Sequence, residues 1–183
     1  MPIFPRTIFG MIAGAVYTGL LLYAAFKDWR SRLIPNRIVL GLAIGGLGFS
    51  IVSAPLLTGV LRGSGGLVTG LVCWLPFYML GWVGAGDVKL FAASGSWMGA
   101  FRTIEAGVAA AIVGAVLALT YVVWRYGVRR AIETVWLAAA APAILANSSD
   151  SGRSRSSRSL PYGVALAAGA LIAAWMPGVL LGR

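Results

Sequence analysis

Six apolar runs, most of them near the length a helix needs to cross a bilayer, make up most of this chain, and any fold must keep them out of water. They cover residues 8–26, 38–57, 66–83, 87–100, 104–124 and 160–181. The fourth is the shortest and begins on a charge. The 183 residues are 59% hydrophobic and 11% charged, with a mean hydropathy of +0.86. A water-soluble domain carries about 25% charged residues, and a core of this size could not shelter so much apolar surface. The expected fold class is all-α: a polytopic membrane protein of about six transmembrane helices, forming a single domain over residues 1–183. The first run has no small-x-small cleavage pattern at its end, beside Lys27, so it is expected to stay as a span. Pro76 lies inside the third and should kink it.

Fifteen Lys and Arg against five acids give a net charge of +10. In a soluble chain that excess would suggest nucleic acid. Here the basic residues lie mostly between apolar runs, so lipid head groups and topology explain them, and no nucleic-acid partner is expected. Lys27, Arg30, Arg32, Arg37, Lys89, Arg125, Arg129, Arg130, Arg153, Arg155 and Arg158 fall on one side of a six-span arrangement. Arg6, Arg62, Arg102 and Arg183 fall on the other. The bias places the first group in the cytoplasm and both termini outside. Within the long cytoplasmic loop, 125–159, the apolar stretch 131–146 reads as a helix lying on the membrane, with a seventh span as the alternative. Residues 147–159, rich in Ser and Arg, read as a solvated linker.

The chain has no histidine and a single cysteine, Cys73. Ser-His and Cys-His couples are therefore excluded, as are His-based metal sites and an intrachain disulfide. No metal or cofactor is expected. Carboxylates, Lys, Ser and Tyr remain as candidates for chemistry. Asp150 lies in the polar linker, while Glu133 and Glu105 sit near helix starts, where an acid suits the helix dipole. Asp28 and Asp87 differ. One ends the first run and the other begins the fourth, both at the cytoplasmic boundary, where an ionisable group usually has a task. The plainer alternative is ion pairing, Asp28 with Arg30 or Arg32 and Asp87 with Lys89. Two adjacent carboxylates share one proton. One can then take a proton from water while the other polarises a peptide carbonyl. The glycines before Asp87 are expected to supply a positive-φ turn and room for a substrate backbone.

Gly84-Ala85-Gly86-Asp87 resembles the GxGD signature of membrane aspartyl proteases, and residues 84–90 are similar to the GGGDVKL form of the type IV prepilin peptidases. Residues 28–36, ending Ile34-Pro35-Asn36, resemble that family's first-aspartate motif. Pro161-Tyr162-Gly163 resembles the segment that opens its last helix. The resemblance implies that Asp28 and Asp87 are catalytic. It implies supporting or substrate-binding roles for Gly84, Gly86, Lys89, Pro35, Asn36, Pro161, Tyr162 and Gly163. Lys89 would hold or tune Asp87, or snorkel to lipid phosphates. It further implies cleavage of the basic leader from type IV or Flp-like prepilins at the cytoplasmic face of a bacterial inner membrane. The partners would be prepilin precursors and membrane lipids. Larger members of the family carry an insertion with two Cys-x-x-Cys pairs and methylate the new N-terminus. This chain has no such insertion and is similar to the compact form of tight-adherence, Flp-type systems. A preflagellin-type substrate is one alternative, and a non-enzymatic assembly subunit with structural aspartates is another.

Overall fold

The computed structural model describes residues 3–4, 7–31, 34–79, 83–126 and 162–176. They form six helices: α1 (Ile8–Ser31), α2 (Asn36–Val52), α3 (Leu56–Met79), α4 (Ala85–Met98), α5 (Ala100–Tyr126) and α6 (Tyr162–Trp175). No strand occurs among the described residues. Three segments are long and apolar enough to cross a membrane: Ile8–Ser31, Leu56–Met79 and Ala100–Leu117. Helix α2 and the Val164–Trp175 part of α6 are apolar but shorter. The chain divides into two units, residues 1–114 with 161–183, and residues 115–160. The second is described only over the end of α5, where the Thr120 hydroxyl donates to the Val116 carbonyl at 2.7 Å. The stretches 131–146 and 147–159, with Glu133, Asp150, Arg32 and Pro161, lie outside the described residues.

Many large apolar side chains point outward, and glycines lie at the closest helix contacts. Ile8, Leu56, Leu57 and Met79 are each at least 70% exposed. A surface of that kind suits lipid tails and would be an aggregation site in water. Without a hydrophobic drive between helices in lipid, association rests on close van der Waals packing, which small residues permit. Helix α3 supplies it with a buried stripe of Gly59, Gly63, Gly66 and Gly70. Gly59 lies on the backbone of Ser50 and Ile51 in α2. Gly66 meets α4 at Gly95 so closely that a Cβ on either would collide with the other's carbonyl. The apolar run expected to start at Gly66 therefore misses the first part of this helix. Gly59, Arg62, Gly63 and Ser64 dilute the local hydropathy, although the glycines are what the helix uses to pack.

Helix α4 is the most enclosed of the six. From Val88 to Met98 every residue except Lys89 is buried. Its 14 residues span about 21 Å at 1.5 Å per residue. In its buried stretch Ser96 Oγ donates to the Ala93 carbonyl (2.7 Å), and the Trp97 indole N–H to the Leu42 carbonyl of α2 (2.7 Å). Phe4, which precedes α1, fills an aromatic cluster with Tyr17, Phe49, Trp97 and Trp175, its ring centroid 5.3–6.1 Å from theirs.

At the end of α4, Gly99 has φ +80°, the left-handed region that favours glycine. The Arg62 side chain crosses directly over it. Glu105 is buried and accepts from Arg102 at 3.0 Å. The sequence placed this acid at a helix start with only the dipole for company, whereas the structure gives it an ion pair in a dry setting.

Candidate active site

Helix α1 buries one face: Gly10, Ala13, Gly14, Tyr17, Leu21, Ala24 and Asp28. The three- and four-residue spacing is that of a single helical stripe. Asp28 is its last member and only 7% exposed. The helix continues past the apolar run to Ser31, whose hydroxyl donates to the Lys27 carbonyl at 2.8 Å. Asp28 is therefore held on a formed helical turn.

Asp87 lies in the first turn of α4. The Gly84 carbonyl accepts from the Asp87 and Val88 amides at 3.1 and 3.2 Å, which starts the helix. In return, Asp87 Oδ2 accepts from the Gly84 N–H at 3.3 Å. This is the reach of an acid at the third helical position back to the cap. Asp87 Oδ1 is buried and has no hydrogen-bond partner among the described residues. The two carboxyl groups, from helices far apart in sequence, are near enough for the charge of Asp28 to act on Asp87.

The turns carrying the two sequence motifs touch. A Cβ on Gly86 would stand 3.6 Å from Ile34 Cβ. Pro35, with φ −63° and ψ 131°, caps α2, its carbonyl accepting from the Ile38 amide at 3.0 Å. The Ile-Pro-Asn segment thus starts α2 with its proline and covers the Gly86 turn with its isoleucine. Pro35 and Asn36 themselves are exposed. The expected positive-φ turn before Asp87 is not present. Gly84 has φ −75°, Gly86 is helical, and Gly99 alone among the described glycines has positive φ. Gly84 serves a different need: a Cβ there would sit 3.2 Å from Asp87 Oδ2, crowding the carboxylate as it folds back to the cap.

Lys89 is exposed and makes no ion pair with Asp87, so the pairing alternative fails for this aspartate. Tyr162 and Gly163 open α6, but their side chains lie outside the described residues. Two residues absent from the motif reading join the two aspartate-bearing helices: Tyr17 Oη and Ser94 Oγ are 2.7 Å apart. Helical spacing from the aspartates was the one available signal for them.

The fold and site define a class: a helical protein with spans long enough for a membrane, in which an aspartate on one helix lies within electrostatic reach of an aspartate on another. The family model of the type IV leader peptidase family matches residues 15–119, more than half the chain, and includes both aspartates. The chain belongs to this family and is a peptidase. Searches among curated proteins and among solved structures gave no match.

Proposed function

We propose that this peptidase is an aspartyl endopeptidase that removes the basic leader from type IV or Flp-like prepilins at the cytoplasmic face of a bacterial inner membrane. Asp28 and Asp87 are its catalytic pair. The observation that carries this reading is that Asp28 lies within electrostatic reach of Asp87 on another helix, with the Ile34 and Gly86 turns packed together. In the working form one carboxyl is protonated and the other ionised. The carboxylate removes a proton from water, which attacks the scissile carbonyl, and the carboxylic acid protonates the oxygen as charge develops there. Collapse of the tetrahedral intermediate returns a proton to the leaving amine.

Gly84 keeps the Asp87 carboxylate in place, and Gly86 and Ile34 hold the two turns together. Pro35, Asn36 and the Pro161-Tyr162-Gly163 segment are supporting positions, and Lys89 reaches the polar head-group layer. The precursor's apolar segment enters from the bilayer, because the enzyme's basic loops cannot attract a basic leader. The arrangement has six spans, with residues 125–159 a cytoplasmic loop. The direct test is cleavage of a Flp-type precursor by the purified full chain in liposomes. Absence of any leader cleavage by well-inserted protein would refute the assignment. Cleavage of a precursor stripped of its apolar segment at an unchanged rate would refute the docking route.

A further inference from the structure

We infer that the buried hydrogen bond between Tyr17 and Ser94 positions the two aspartates, setting the rotation of α1 and α4 so that Asp28 and Asp87 face each other. The inference rests on the proposed catalytic pair. Tyr17 lies eleven residues before Asp28, close to three helical turns, so both leave α1 on the same side, within about 20° at 100° per residue. Ser94 lies seven residues after Asp87, close to two turns, so these two also share a side of α4 within about 20°. The bond at Tyr17 and Ser94 therefore joins the faces that carry the carboxyls.

Its surroundings leave it little freedom. Tyr17 is 0% and Ser94 1% exposed, and their oxygens are 2.7 Å apart. The Tyr17 ring is wedged between Phe4 and Trp97, with centroids at 5.6 and 5.3 Å. Trp97 is in turn tied to α2 through the Leu42 carbonyl. Rolling α1 about its axis would break the bond and leave a phenol hydroxyl in a dry interior. The helices that present the carboxyls are thus keyed by a directional contact, where apolar packing alone would tolerate slippage. Tyr17 and Ser94 are positioning residues and take no part in the chemistry.

The test uses the full chain in liposomes and a precursor with a basic leader and an apolar segment. Tyr17→Phe and Ser94→Ala each remove the bond with little change of volume. Each is expected to lower kcat by roughly tenfold to a hundredfold, the scale on which small misplacements act. KM should stay within about twofold, and the limbs of the pH–rate profile should move. The double variant should be no slower than the slower single, because both changes delete one contact. Ser64→Ala, a half-buried α3 residue whose hydroxyl donates to the Val60 carbonyl of its own helix, is the control expected to match wild type. Wild-type kcat per folded molecule in either variant, or additive losses in the double, would overturn the inference. If Tyr17→Phe does not fold, Ser94→Ala carries the test alone. Asp28→Asn and Asp87→Asn run in parallel keep the two readings apart. Activity in those variants defeats the catalytic pair, whereas their inactivity beside fully active Tyr17 and Ser94 variants defeats only the positioning role.

Discussion

Ile34 covers Gly86, its Cβ 3.6 Å from the point where a side chain on that glycine would begin. Two segments separated by some fifty residues are thereby one structural unit, and each brings an aspartate near its end of the contact. An alanine fits the space at ordinary contact distance. Gly86→Ala should therefore fold, with stability unchanged or raised by up to about 1 kcal/mol through helix propensity. Gly86→Leu should push Ile34 away and lower cleavage by at least about tenfold, on the scale of small active-site misplacements. Thermal unfolding in detergent and initial cleavage rates of both variants check the pair.

Asp28→Asn and Asp87→Asn should each abolish leader cleavage, a loss of roughly 10²–10⁴-fold or more. Membrane insertion should survive. Asn at 87 retains a side-chain oxygen to accept from the Gly84 N–H, so the start of α4 remains capped. Rates on proteoliposomes, normalised to inserted protein, decide the matter, and full activity in either variant would remove that residue from the pair.

The dependence of kcat/KM on pH should be bell-shaped. At the acid end both carboxyls are protonated and no base remains. At the alkaline end both are ionised and no acid remains. The two limbs belong to the pair and not to either residue. A profile with one limb only, measured with constant liposome composition, would argue for a single acting carboxyl.

Chelators and thiol reagents should leave the reaction untouched. The chain has no histidine, and its one cysteine lies partly buried on α3. Cleavage in excess chelator, and by Cys73→Ala, is expected at the wild-type rate.

The α3–α4 contact makes a stability prediction. Gly66→Ala drives a methyl into the Gly95 carbonyl and should cost about 1–3 kcal/mol, as overpacking does. Gly65→Ala, with nothing within 4 Å, should be neutral or slightly stabilising. Unfolding midpoints of the two in the same detergent give the comparison.

Much of this was legible in the order of residues. The apolar runs located the helices because bilayer thickness sets a length that composition reveals. The two aspartates stood out because acids are few in this chain and these two flank apolar runs. The start of α3 was hidden, since hydropathy scores Gly59 and Gly63 as weak and packing uses them as strong. The glycines before Asp87 suggested a left-handed turn, but a helix start with a back-folded carboxylate also leaves little room for a side chain at 84. Ile34 was visible only as part of a motif, and its contact with Gly86 depends on chain separation that no local pattern encodes. The same holds for Tyr17 and Ser94, and for Phe4, buried among rings contributed by four helices.

The crossing of Gly66 over Gly95 has a consequence for how such a chain can drift over generations. In a water-soluble protein the bulky interior residues resist replacement and the surface wanders. Here Leu56, Leu57 and Met79 face outward, where one greasy side chain substitutes for another, while the smallest residues sit under the strictest steric limit. At the packed glycines mutational tolerance should therefore be lowest where the side chain is smallest, with the seam of hydrogens at α3 and α4 among the least forgiving surfaces of the described residues.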